Sequence, residues 1–377
     1  MPRKIILLTL QTFSSTGGIQ KMTRTLAHSL SHVARQQHWE FKLWSVYDSP
    51  YDLMRQYLAP ENFVGFGRNK ARLGLDTVTK ATKADIVILS HVNLALLGFI
   101  IKILRPRCQL WMVAHGIEVW RPLSLVKKLF VRRYCDKFIC VSAFTKAQMM
   151  KWHHADPQKC IVLNNVVDPF IQHPEEFEKP EYLLNRYSLT PENQVVFTLT
   201  RLASSEQYKG YEQVIKAVSR LKNRFPGIRY ILAGPYDDAE EARIKALIAA
   251  CRVEAHVVLA GFLEERELAD YFLLADLFVL PSKKEGFGIV FIEALTCGLP
   301  VICGNADGSV DAIRNGELGT AINVNDLDEL VNTIVSYLQT PLTVAKREQL
   351  QQACLSYFNE KQYRETLLQL IADEFAA

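Results

Sequence analysis

Two glutamates, Glu285 and Glu293, are separated by seven residues in the run Glu285-Gly286-Phe287-Gly288-Ile289-Val290-Phe291-Ile292-Glu293. The second sits among Ile289, Val290, Phe291 and Ile292 before it and Ala294 and Leu295 after it, a stretch apolar on every helical face and therefore expected to be buried. An ionised carboxylate is costly there unless hydrogen-bond donors meet it, so something polar should lie against Glu293. The upstream half adds a second requirement. Gly286 and Gly288 let a backbone approach a ligand closely, and a helix beginning near Ile289 points unpaired N–H groups and its positive end at an anion. A nucleoside diphosphate carrying a polyhydroxylated sugar satisfies both. Taken singly, these residues read as a surface glutamate, turn glycines and one exposed helix position. The whole run, followed by a helix stop at Gly298 and a buried strand after Pro300, reads as a site.

Cations stand where such a ligand needs them. Arg201 ends the β-rich run 195–200, and Lys209-Gly210 follows a short polar excursion; two cations at the carboxyl end of a strand can neutralise a departing diphosphate. Each alone reads as a solvated surface charge. Gly17-Gly18, between the first strand and its helix, can set backbone N–H groups against a phosphate or sugar oxygen, although the pair lacks the full dinucleotide fingerprint and the P-loop lysine. His115 follows a strand and precedes Gly116, and Ser142 follows another strand, where serine is also a common helix cap. Gly234-Pro235 and Gly261-Phe262-Leu263 each follow a strand of the second half. No metal cluster emerges: Asp237-Asp238 lacks a third ligand nearby and reads as a turn with helix-start acids. Lys127-Lys128-Leu129-Phe130-Val131-Arg132-Arg133 interleaves cations with apolar residues, and Ile100, Ile101, Lys102, Leu104 and Arg105 make a comparable stretch. The segment reads either as a solvated helix face or as an amphipathic helix resting on anionic lipid.

The elements around these residues alternate. Strands at 4–10, 41–46, 86–90, 110–114 and 138–142 interleave with helices at 19–31 and 70–82 and a helix starting near 143; a proline- and glutamate-rich stretch after Asp168 reads as a linker. A second alternation runs from 195 to 303, and 326–377 reads as helical throughout. Such alternation implies two parallel sheets covered on both faces, and 377 residues exceed what one core usually supports. Hydrophobic residues at 49% and charged residues at 22% describe an ordinary globular chain, and a net charge of +4 argues against a dedicated nucleic-acid binder. The eight cysteines, with no CxxC pair, read as reduced thiols of a cytoplasmic protein. The apolar run after Lys4 suits a buried strand rather than a secretory signal, and no run approaches the roughly 20 residues of a membrane span.

The two glutamates and the Pro281-Ser282-x-x-Glu285-Gly286-Phe287-Gly288 context resemble the retaining glycosyltransferases of family 4. The resemblance implies a GT-B α/β fold of two doubly wound Rossmann-like domains facing a central cleft: an acceptor domain at 1–175, a nucleotide-sugar domain at 190–357, and a C-terminal helix at about 358–377 returning to the first. It also implies residue roles. Glu285 would bond sugar hydroxyls, the amides of Gly286, Phe287, Gly288 and Ile289 the sugar and phosphates, and Glu293 the ribose. Arg201 and Lys209 would face the diphosphate, Gly17 and Gly18 the donor and acceptor, His115 the transferred sugar near its reacting carbon, and Gly234, Phe262 and Leu263 the nucleotide. Two departures stand out: Thr200 where glycine is usual before the arginine, and Asp307-Gly308-Ser309 where many relatives have a Gly-Gly pair. The expected reaction is metal- and cofactor-independent transfer of a hexose, from UDP-glucose first and GDP-mannose second, to a glycan or lipid-linked acceptor. The expected setting is the cytoplasm, with peripheral contact at the membrane. A sugar-nucleotide epimerase and a non-catalytic sugar-nucleotide sensor are the competing readings.

Overall fold

The computed structural model describes residues 2–376, with nothing drawn from the side chain of residue 376. The chain forms two compact units, Met1–Ile171 with Phe358–Ala377, and Gln172–Tyr357.

The first unit holds seven strands: β1 (Lys4–Thr9), β2 (Glu40–Ser45), β3 (Phe63–Gly65), β4 (Ile86–Leu89), β5 (Gln109–Ala114), β6 (Lys137–Cys140) and β7 (Cys160–Val162). All pair in parallel, in the order β3-β2-β1-β4-β5-β6-β7. Central strands covered on both faces need continuous apolar runs, which is why Ile86, Val87, Ile88 and Leu89 are all fully buried. Helices α1 (Gly18–Gln36), α2 (Lys70–Thr79), α3 (Ala95–Leu104), α4 (Leu125–Leu129) and α5 (Ala143–His153) connect the strands.

The second unit opens with α6 (Glu181–Arg186) and continues β8 (Val195–Leu199), α7 (Tyr211–Leu221), β9 (Arg229–Ala233), α8 (Asp238–Cys251), β10 (Val257–Gly261), α9 (Leu268–Leu274) and β11 (Leu277–Leu280). After these come α10 (Ile289–Thr296), β12 (Val301–Gly304), α11 (Ser309–Ala312), β13 (Thr320–Ile322), α12 (Leu327–Gln339) and α13 (Val344–Tyr357). Its parallel sheet has the order β10-β9-β8-β11-β12-β13. The final helix α14 (Glu360–Ala376) lies in the first unit, where Leu367 and Ile371 are fully buried and Glu360 accepts from Ser29 Oγ of α1 at 2.8 Å.

Both sheets reverse their strand order once, between β1 and β4 and between β8 and β11. In doubly wound sheets ligands bind beyond the carboxyl ends of the strands at that reversal, so topology alone directs attention to the loops after β8 and β11, where Arg201 and Glu285 stand. Several expected boundaries shift. The first helix runs on to Gln36, and 326–377 is three helices rather than one stretch, broken at 340–343 and 358–359. The basic segment is not one helix: α4 ends at Leu129 and a π-helical turn, Phe130–Tyr134, follows, because Phe130 and Val131 turn into the core.

Candidate active site

In the second unit the loop after β8 and the loop after β11 are fastened together backbone to backbone. Lys283 N–H donates to the Tyr208 carbonyl at 2.9 Å. Gly210 has φ +84°, and a Cβ there would lie 2.2 Å from the Pro281 carbonyl oxygen, so only glycine lets the two backbones approach so closely. That approach carries Lys209 Nζ onto Glu285, with which it forms a hydrogen-bonded ion pair. Both side chains are mostly enclosed, at 13% and 16% exposure. Burial alone would push the Lys209 pKa down; the Glu285 carboxylate outweighs it and holds the ammonium above its ordinary value.

Glu285 is fixed from the other side as well. Its N–H donates to Asp307 Oδ2 at 2.6 Å, and its carbonyl accepts from Gly308 N–H at 2.8 Å. Gly288, at φ +85°, caps α10, and a Cβ there would meet the Phe291 ring at 2.5 Å; the helix therefore begins at Ile289, as its sequence predicts. Within it Phe291, Ile292, Ala294 and Leu295 are fully buried, and Glu293, 6% exposed, has a partner within the fold.

Arg201 differs from Lys209. Its side chain is 60% exposed and pairs with the neighbouring Glu206 at 3.2 Å, so solvent screens it. The unusual Thr200 is buried, and its carbonyl oxygen would lie 1.7 Å from a Cβ on Gly234. Gly234, at φ +136°, is therefore the position where this contact demands glycine. Gly234 N–H donates to the Gly261 carbonyl at 2.7 Å; beyond it Phe262 is exposed and Leu263 buried.

In the first unit Gly17 (φ +151°) precedes α1, and the segment before it is held by a carboxylate that sequence reasoning missed. Asp48, fully buried, accepts from the N–H groups of Thr12, Phe13 and Ser14 at 2.7, 3.1 and 3.0 Å and from Ser45 Oγ at 2.7 Å. Burial would raise its pKa, but these donors outweigh it and hold the carboxyl below its ordinary value.

His115 is buried with Nε2 2.7 Å from the Ser90 carbonyl oxygen, and the N–H groups of His115 and Gly116 donate to Glu118 Oε1 at 2.6 and 3.2 Å. A carbonyl only accepts, so Nε2 carries the proton and Nδ1 is the acceptor. Burial pushes the His115 pKa down to about 4 against a smaller opposing pull from Ser90. Because the folded pKa lies below the unfolded one, this histidine's share of stability is present above about pH 6.5 and is lost as pH falls through about 4. ¹⁵N spectra should show a neutral Nε2–H ring at pH 7 with no titration above about pH 5; a midpoint near 6.5 would contradict the assignment. Ser142 turns out to be the cap of α5, accepting from Thr145 N–H at 3.0 Å.

Two families match the sequence: the one described as Glycosyl transferases group 1 over residues 187–354, and Glycosyltransferase Family 4 over residues 16–169. The chain belongs to glycosyltransferase family 4. Among curated relatives it is 28% identical over 231 residues to a D-inositol 3-phosphate glycosyltransferase of Mycobacterium marinum, covering 60% of this chain and 47% of that one. It is 29% identical over 169 residues to a GDP-mannose-dependent alpha-(1-6)-phosphatidylinositol monomannoside mannosyltransferase of Mycolicibacterium smegmatis, covering 42% of each. The chain spans about half the length of the curated relatives it matches. Among solved structures, Anabaena HepE in complex with UDP and glucose superposes with a TM-score of 0.77 at 19% identity, over 98% of this chain and 100% of that one. The two parallel-sheet units of this family 4 chain are those of the GT-B fold. Among its described residues no group of three His, Cys, Asp or Glu side chains is arranged as a metal site, and no helix is long and apolar enough to cross a membrane.

Proposed function

We propose that this protein transfers a hexose from a nucleotide-sugar, UDP-glucose before GDP-mannose, to a hydroxyl of a glycan or lipid-linked acceptor with retention of anomeric configuration. The observation that carries the reading is the Lys209–Glu285 pair, held by Gly210 at the strand-order reversal beside the start of α10. An ammonium has three N–H donors and Glu285 takes one; the others meet the departing diphosphate, whose negative charge grows as the glycosidic bond breaks. Arg201 assists from its exposed position. The amides at 286–289 meet sugar and phosphates, Glu285 the sugar hydroxyls, Glu293 the ribose, and the backbone at 262–263, with Gly234, the base. In the first unit the Gly17-Gly18 loop serves the donor diphosphate and the acceptor, and His115 Nδ1 the transferred sugar. The GDP-mannose dependence of the Mycolicibacterium smegmatis relative supports the second donor.

The test is a thermal-shift panel of UDP, GDP, UDP-glucose and GDP-mannose with the purified full chain, followed by transfer to candidate acceptors in excess EDTA. Phosphate charge met by Lys209, Arg201 and a helix end predicts undiminished turnover in EDTA; a loss restored specifically by Mg²⁺ or Mn²⁺ would overturn metal independence. Conversion of the sugar without acceptor would mark an epimerase. Donor binding without nucleotide release would mark a sensor.

The acceptor reading extends to the membrane surface. Packed side by side in the first unit, α3 and α4 expose Leu96, Ile103, Leu104, Leu125, Val126 and Leu129, with Lys128, Arg132 and Arg133 also exposed. Of the basic residues, Lys127 bonds Asn93 Oδ1 at 2.5 Å and Arg132 Nε the His153 carbonyl at 3.2 Å, whereas Lys102 and Arg105 pair with Asp136 and Asp85 at 2.6 and 3.1 Å. Peripheral association at a cytoplasmic membrane face therefore rests on the apolar residues together with Lys128 and Arg133. Reversing those two charges should lower flotation with anionic liposomes, most at low salt, where the Debye length exceeds the roughly 10 Å of 0.1 M salt. Flotation indifferent to both charge reversal and anionic lipid would leave a solvated helix face.

A further inference from the structure

We infer that Asp307 is a positioning residue of the donor site, a buried carboxylate that fixes the main chain of Glu285 and, through it, the Lys209–Glu285 pair. The inference rests on the donor-site reading above. Asp307 is 2% exposed in the loop after β12. Its two oxygens are taken by donors from two segments: Oδ2 accepts from Glu285 N–H at 2.6 Å, and Oδ1 from Ser309 N–H and Oγ at 2.9 and 2.6 Å. Gly308 N–H returns a bond to the Glu285 carbonyl at 2.8 Å, so the two loops are clasped in both directions. A cap for the four-residue α11 requires only the Ser309 bonds; the bond to Glu285 N–H does nothing for that helix. It does set where the Glu285 backbone, and hence its carboxylate, stands against Lys209.

Burial first, and the Glu285 carboxylate with it, push the Asp307 pKa up to about 7 against the opposing bonds from Ser309 and from Glu285 N–H. Where many family members carry a glycine pair, this chain thus holds a second carboxylate behind the first. An Asn at 307 turns its NH₂ toward the N–H of either Glu285 or Ser309 and so can spare the Glu285 bond, which a side chain with no acceptor cannot.

Three variants, D307A, D307G and S309A, test this through hydrogen exchange of peptides spanning Glu285 and through calorimetry with UDP, UDP-glucose, GDP and GDP-mannose. The D307A and D307G variants should exchange faster at Glu285 with β11 and β12 still protected, and S309A should not. In the two Asp307 variants the affinity for nucleotide-sugar should fall about tenfold more than the affinity for the matching free nucleotide, the size of one charge-assisted hydrogen bond. Unchanged exchange at Glu285, or an equal loss for nucleotide and nucleotide-sugar, overturns the inference. If the unsubstituted protein binds none of the four compounds, the donor-site reading fails, and exchange at Glu285 still decides whether Asp307 fixes it. D307A, which also removes both acceptor oxygens but adds no glycine, serves should D307G fail to fold.

Discussion

Lys209→Ala should lower turnover by about a hundredfold or more, the scale of losing one preorganised charge opposite a developing anion. The substitution removes the ammonium from the departing diphosphate, and it also strands Glu285, a carboxylate at 16% exposure whose ion-pair partner is Lys209. The loss should therefore fall on kcat rather than on KM alone. Arg201→Ala, at a side chain 60% exposed, should cost about tenfold or less. This ordering is a consequence of the structure, since in the sequence the two cations read alike. A double-mutant cycle with Glu285→Gln checks it: Lys209 and Glu285 should be strongly non-additive, and Arg201 and Glu285 close to additive. A Lys209→Ala protein with native melting behaviour, unchanged kcat and only a raised KM would refute the role.

Glu293→Gln should weaken nucleotide binding by about tenfold to a hundredfold, because the amide keeps the volume of the buried side chain but loses a charge-assisted acceptor for ribose hydroxyls. Ribose belongs to the nucleotide, so free UDP or GDP should suffer as much as the nucleotide-sugar. Glu285→Gln should behave in the opposite way, sparing the free nucleotide and weakening the nucleotide-sugar, since Glu285 is assigned to the sugar. Calorimetry on both variants with both ligand classes separates the assignments. Unchanged affinity for free nucleotide in folded Glu293→Gln would remove the ribose role.

Much of the architecture was legible because its signals are local. Apolar runs such as Ile86–Leu89 announce strands covered on both faces, and Gly288 and Gly298 bracket a helix whose interior is apolar but for Glu293 and Thr296. Short strands were not legible. Phe63–Gly65 and Thr320–Ile322 are three residues each, too short to show a period, and they exist because a neighbouring strand offers an unpaired edge. The turn at Phe130 was hidden for a similar reason: its residues read as amphipathic helix until packing of the Phe130 ring beside Gly98, where a Cβ would lie 2.6 Å away, dictates otherwise. At the candidate site the motif residues were visible but their couplings were not. Lys209 and Glu285 lie 76 positions apart, and their pairing depends on a carbonyl of Pro281 that only Gly210 tolerates. Asp48, Glu118 and Asp307 carry no motif. They matter because backbone N–H groups converge on them, from a distant segment at Asp48 and Asp307 and from the preceding turn at Glu118, a relation that composition and periodicity do not encode.

The segment leaving the first unit and the segment re-entering it are joined: Val167 N–H donates to the Phe358 carbonyl at 2.9 Å, just before the second unit begins and just after it ends. In genetic terms the chain is a host with a guest spliced into one loop, and the guest's two ends emerge from adjacent points. A host cut at residue 171 would lack α14 and would uncover the side of α1 on which that helix packs. A host whose residue 171 is linked by a short turn to Phe358 would keep it. The guest, excised as 172–357, carries every residue assigned to the nucleotide-sugar except Gly17, Gly18 and His115, so it is a piece in which nucleotide binding can be sought apart from transfer.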